Sequence, residues 1–122
     1  MADLAAHQAA GPVSLRAVAE RQALSLAFLE QVFLRLRRAG LVESRRGAAG
    51  GYVLARGADA VSLADIVAAL DEAPRTTACQ PGTTCTGTSA RCLTHGLWRD
   101  LDGHIEGFLA ARTLADLTGE AR

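Results

Sequence analysis

The sequence predicts a mainly α-helical domain with a small β-hairpin and a long amphipathic helix near its C-terminus. Three observations predict it. Apolar residues recur at helical spacing in Leu29, Val32, Phe33 and Leu36 and again in Leu63, Ile66, Val67 and Leu70. A turn too rich in glycine for a helix, Gly47-Ala48-Ala49-Gly50-Gly51, separates two short strand-like segments. Leu97, Trp98, Leu101, Ile105, Phe108 and Leu109 then make a wide apolar stripe. With 122 residues, 49% of them apolar and 21% charged, the chain has the size and composition of one ordered domain, or of one small domain with an arm.

Residues 1–10 read as a helix fragment that stops at Gly11-Pro12. Ser14 is a suitable N-cap for a short helix over Leu15–Arg21. Ser25 offers a second N-cap, for a helix that runs to about Ala39 and ends at Gly40. Two helices joined by so short a turn outline a helix-turn-helix. Leu41–Arg46 and Tyr52–Arg56 flank the glycine-rich turn as a hairpin, and helix-turn-helix plus hairpin makes a winged helix. The first helix of such a domain is expected to pack under the second helix of the motif. Ser62, with Asp65 three positions on, forms a capping box for a fourth helix, which Pro74 is expected to end. Gly103 and Gly107 weaken the long stripe-bearing helix by about 1 kcal/mol each relative to Ala, which close approach of a partner helix would explain. Thr113 and Asp116 form a last capping box.

The net charge of zero conceals an asymmetry. Residues 14–56 hold eight Arg against three acids, and residues 57–122 hold five Arg against nine acids. A basic first half suggests an anionic partner, although a solvated helix face would look the same. No apolar run approaches the ~20 residues of a membrane-spanning helix. The opening MADLAAHQAAGP lacks the basic stretch of a secretory leader, so the expectation is a cytoplasmic protein without a membrane partner. In a reducing cytosol three cysteines are better read as metal or redox ligands than as a disulfide framework.

Those cysteines carry the sharpest chemical signal. Cys79, Cys85, Cys92 and His95 are spaced C-x5-C-x6-C-x2-H within 17 residues, in a stretch with almost no aliphatic side chain. Three thiols and an imidazole suit zinc or an iron–sulfur cluster. Structural zinc sites usually pair ligands two to four residues apart, so the wider gaps here lean toward a larger object. A catalytic Cys–His pair is disfavoured, because no third orienting residue is evident.

The residues RQALSLAFLEQVFLRLRRAGLVESRRGAAGGYVLAR, VSLADIVAALDEAP and CLTHGLWRDLDGHIEGFLAARTLADL resemble the IscR-like family of iron–sulfur cluster transcriptional regulators over nearly the whole chain. CLTHGLW is the specific part, since related winged-helix sensors of nitric oxide and iron share the three cysteines but generally lack the histidine. The resemblance implies a homodimeric repressor that binds double-stranded DNA and carries a 2Fe–2S cluster on Cys79, Cys85, Cys92 and His95, with the iron–sulfur cluster assembly machinery as cluster donor. It divides the chain into a winged helix-turn-helix DNA-binding domain (1–73), a cluster-binding loop (74–95) and a dimerisation helix with its tail (96–122).

Several positions depart from the family pattern. The gap between Cys85 and Cys92 is one residue longer than in the enterobacterial pattern. Ala23 stands in the turn where Gly is usual, so a left-handed backbone there is expected to be strained or shifted. The wing reads RGAAGGY instead of RGPGGGY. MADLAAHQAAGPVSL aligns with the second half of the family's first helix, and the expectation is a misassigned start with a basic, tyrosine-containing segment ahead of it.

In a winged helix the second helix of the motif enters the major groove. Ala27, Glu30 and Gln31 lie opposite the Leu29/Val32/Phe33/Leu36 stripe and are the candidate base readers. Gln pairs with adenine, and Glu accepts from cytosine N4 while repelling the polyanion, so Glu30 is expected to govern specificity more than affinity. The resemblance implies that these positions select between operator types, with Ala27 standing where Ser is usual. Arg46, at the base of the wing, is a candidate phosphate or minor-groove contact. Arg35, Arg37 and Arg38 complement the helix dipole equally well. Two other readings remain open: a zinc-stabilised structural DNA-binding protein, and a truncated dimerising paralogue that binds no DNA.

Overall fold

The computed structural model describes residues 1–71 and 93–119. Six α-helices, two short 3₁₀ turns and one two-stranded antiparallel sheet occur among these residues. α1 (Ala2–His7) continues as a 3₁₀ turn over Gln8–Ala10 and stops at Gly11, whose φ of 123° only glycine adopts comfortably. α2 (Leu15–Gln22) starts under Ser14, whose Oγ accepts from the Ala17 N–H at 3.1 Å. α3 (Leu26–Arg38) starts under Ser25, whose Oγ accepts from the Phe28 N–H at 2.9 Å. Both caps stand where local sequence chemistry predicts them.

α3 ends in a Schellman turn. Gly40 takes φ 77°, and the Leu41 N–H returns to the Leu36 carbonyl at 3.0 Å. β1 covers only Val42–Arg45 and β2 Gly51–Leu54, shorter than the segments read from sequence, although the Ala55 N–H still bonds to the Leu41 carbonyl at 3.1 Å. The register pairs Val42 with Leu54 and Arg45 with Gly51. Val13 adds two bonds to the sheet: it donates to the Tyr52 carbonyl at 2.9 Å and accepts from the Tyr52 N–H at 2.8 Å. The chain entering α2 is thereby stitched to the wing.

α4 (Leu63–Ala69) opens with the expected capping box: Asp65 N–H to Ser62 Oγ at 3.0 Å, and Ser62 N–H to Asp65 Oδ2 at 3.1 Å. It does not continue to Pro74. It ends at Ala69, because Leu70 caps it and Asp71 turns into the left-handed region with φ 55°. α5 (His95–Ala111) is the long helix, and α6 (Leu114–Thr118) follows after Arg112 and Thr113. The Asp116 carboxylate accepts from the Thr113 N–H at 2.9 Å and completes this last start. Among the described residues no helix is long and apolar enough to cross a membrane.

The core joins both ends of the chain. Leu4, Val13, Val18, Leu29, Phe33, Leu36, Leu41, Val42, Val61 and Leu114 form one buried cluster. α1 packs chiefly on α6 and β2, not under α3 as the sequence suggests. The stretch read as a dimerisation helix and tail thus includes a helix, α6, that completes the core of the winged helix. Its attachment is a short antiparallel bridge: Leu63 N–H to the Arg112 carbonyl at 2.9 Å, and Leu114 N–H to the Val61 carbonyl at 3.0 Å.

Candidate nucleic-acid interface and metal centre

The turn between α2 and α3 is built on Ala23, which takes φ 52° and ψ 45°. It sits at the C-terminal cap of α2, and the Leu24 N–H returns to the Ala19 carbonyl at 3.0 Å. The left-handed conformation anticipated there is kept in spite of the Cβ. It costs roughly 1–2 kcal/mol for an L-residue other than Gly.

The turn sets the direction of α3. Leu29, Phe33 and Leu36 point into the core, and Ala27, Glu30 and Gln31 are exposed on the opposite side. Phe28 is 55% exposed in the same first turns, and Leu24 in the preceding turn is 44% exposed. No local pattern signals that this apolar pair is exposed. Phe28 lies beside the core stripe and reads as one of its members until exposure separates it. An exposed aromatic next to Gln31 adds a group able to touch thymine methyls.

The wing is held at a fixed angle to α3 through Tyr52. Its ring meets that of Phe33 edge-on at a centroid separation of 5.1 Å and an interplanar angle of 62°. At the tip, Gly50 N–H bonds to the Gly47 carbonyl at 3.0 Å, and a Cβ on Gly50 would collide with the Arg45 carbonyl oxygen, so a side chain there would break the turn. Arg45 is occupied by Glu43, with Nη2 3.0 Å from Oε2. Arg46 is exposed and makes no ion pair among the described residues, which leaves its charge available to an external anion. Ala27, Glu30 and Gln31 therefore share one face of α3, while Arg46 stands apart on the wing. Of the three arginines ending α3, Arg35 departs from the dipole reading, because its Nη1 donates to the Leu70 carbonyl at 3.2 Å.

Of the predicted metal ligands, Cys79, Cys85 and Cys92 lie outside the described residues. His95 is the first residue of α5 and is half-buried. Trp98 steadies this helix start, its N–H bonding to the Thr94 carbonyl at 3.1 Å and its Nε1 to Thr94 Oγ1 at 3.1 Å. The first turn of α5 carries no acidic residue of its own, and the positive end of a helix dipole favours an anionic group. Among the described residues no three His, Cys, Asp or Glu side chains gather as a ligand set.

The sequence profile of the Rrf2 family, described as iron-dependent transcriptional regulators, matches residues 1–120. This chain belongs to the Rrf2 family. Its curated relatives in that family include the HTH-type transcriptional regulator IscR of Erwinia tasmaniensis, 50% identical over 117 residues that cover 96% of this chain and 70% of the relative. The IscR of Photorhabdus laumondii is 48% identical, with 96% and 71% covered. Solved Rrf2 neighbours include the T. potens IscR, at a TM-score of 0.78 and 39% identity, covering 99% of this chain and 79% of that one. The global cysteine regulator CymR of B. subtilis superposes at a TM-score of 0.80 with 34% identity, covering 98% and 87%. The expected fold, a helical winged helix with one hairpin, is that of these Rrf2 regulators. The chain is a DNA-binding transcriptional regulator, and its relatives are regulators and not enzymes.

Proposed function

We propose that this chain is a homodimeric repressor, acting in the cytoplasm, that senses iron–sulfur cluster status through a 2Fe–2S cluster held by Cys79, Cys85, Cys92 and His95. The observation that carries the reading is the donor set itself. Three soft thiols and one imidazole fall within 17 residues, and the imidazole opens the first turn of α5. When bound, the cluster supplies an iron centre whose presence follows the cell's supply of iron and sulfide, and the assembly machinery is its donor.

The homodimer is supported by α5. None of its 17 residues is buried, and Leu97, Trp98, Leu101 and Phe108 are 37–62% exposed on it. An apolar face of that size on a lone subunit asks for a partner. Gly103 and Gly107 have open space where a Cβ would stand, which leaves room for close approach of a second α5. Base reading falls to Ala27, Glu30 and Gln31, with Arg46 reaching a phosphate or the minor groove. The N-terminal body (1–73) carries DNA reading, 74–95 the cluster and α5 the dimer contact, while α6 returns to the winged-helix core.

Anaerobic purification tests the reading. The protein is expected to be reddish-brown, and Cys79→Ala, Cys85→Ala or Cys92→Ala is expected to bleach it. A colourless wild-type protein with one equivalent of zinc would instead support a zinc-stabilised structural DNA-binding protein.

A further inference from the structure

Arg35 lies eight positions after Ala27 and four after Gln31, where the exposed face of α3 turns toward α4. Its Nη1 donates to the Leu70 carbonyl oxygen at 3.2 Å. Leu70 is the C-terminal cap of α4, and a helix end presents carbonyls that have partial negative charge and no intrahelical partner. A guanidinium from a different element therefore closes the end of α4. The opposite end of α4 is stitched to the end of α5 by the Leu63–Arg112 and Leu114–Val61 bonds, and α4 packs along α5. α4 is thus held to α5 at one end and to α3 at the other.

We propose that Arg35 is a positioning residue for DNA recognition. Its bond to the Leu70 carbonyl braces α3 against the α4–α5 pair and so sets the half-site spacing that two α3 helices accept. The inference rests on the dimeric, DNA-reading function proposed above. Half-sites shift by about 3.4 Å per base pair, a step small enough for the tilt of one helix to be felt. Arg35 is exposed, so its removal leaves the core intact.

The test uses the full chain. A preferred duplex is selected from a random pool with the wild-type protein, and its centre is then lengthened or shortened by one and two base pairs. The wild type is expected to prefer its own spacing by about tenfold over the next. Arg35→Met is expected to narrow that preference to about threefold or less, with dimer mass, melting temperature and salt slope unchanged. Arg35→Lys, which keeps a donor within reach of a carbonyl, is expected to restore most of it. An unchanged spacing profile in Arg35→Met overturns the proposal. So does a uniform loss at every spacing with the salt slope reduced by about one, which would make Arg35 a phosphate contact. A wild-type protein that binds single half-sites as a monomer overturns the dimeric reading beneath it, a result distinct from both.

Discussion

Arg21 clasps Asp3 across α1 and α2. Its Nη2 lies 2.6 Å from Oδ1 and its Nε 3.0 Å from Oδ2, while Gln22 Nε2 adds a bond to Oδ2 at 2.9 Å. The Asp3 side chain is 5% exposed, so the pair sits at the edge of the core beside Leu4. Two residues later the chain enters the Ala23 turn, and the clasp therefore anchors α1 to the start of the DNA-reading motif.

The hydrogen bond from Arg21 holds the Asp3 carboxyl at about 2, down from 3.8, outweighing the upward push of burial. A carboxylate with a lower pKa in the folded state stabilises fully above its unfolded value, and that contribution is lost as pH falls through the folded one. Asp3→Asn is therefore expected to lower the melting temperature at pH 7 and to flatten its decline between about pH 4 and pH 2. Thermal melts across that range check this; parallel curves for the two proteins would remove Asp3 as the source.

Ala23→Gly is expected to stabilise the protein by about 0.5–1 kcal/mol, because glycine takes φ 52° without a Cβ penalty and gives back part of the gain as unfolded-state entropy. Ala23→Val is expected to move the other way. Denaturant midpoints measure both, and a destabilising glycine would contradict the strain.

Glu30→Ala is expected to relax sequence preference while leaving total affinity level or raised, since it removes an exposed negative charge from the proposed DNA face of α3. Binding to an operator panel at constant salt separates this from a uniform loss, which would deny Glu30 a reading role.

His95→Cys is expected to keep a chromophore and to hold it more firmly against chelators, because thiolate binds iron more strongly than imidazole does. The visible absorbance decay under chelator is the measurement, and a bleached variant would argue against His95 as a ligand.

Leu114→Ala is expected to cost about 2–4 kcal/mol, the range for emptying a buried leucine site. Leu114 is 1% exposed and joins α6 to the core. Calorimetry of the variant checks it; a loss below about 1 kcal/mol would place α6 outside the cooperative unit.

Legibility in the sequence follows locality. Ser14, Ser25 and Ser62 cap helices through bonds that span three residues, and their chemistry is readable in a window of four. The packing of α1 on α6 brings Leu4 and Leu114 into one core from opposite ends of the chain, and no local pattern signals it. The Arg35–Leu70 bond is silent for the same reason, since an arginine in a last turn looks like a dipole complement. The exposure of Phe28 is hidden for another reason, since an aromatic flanking a core stripe reads as core. Ala23 was legible only through the resemblance, which supplied the glycine it replaces.

The bridge at residues 61–63 and 112–114 brings two points of the chain together before and after the cysteine-bearing stretch. Chain inserted between points that are already joined adds only the logarithmic growth of closure entropy, and one extra residue in a closed stretch of about fifty adds well under ~0.1 kcal/mol. Cysteine spacing can therefore change by single insertions and deletions while the winged-helix core keeps its geometry. The extra residue between Cys85 and Cys92 is a length change of this inexpensive kind. Change in the proposed cluster loop and change in the proposed operator-reading face are thereby placed on separate tracks.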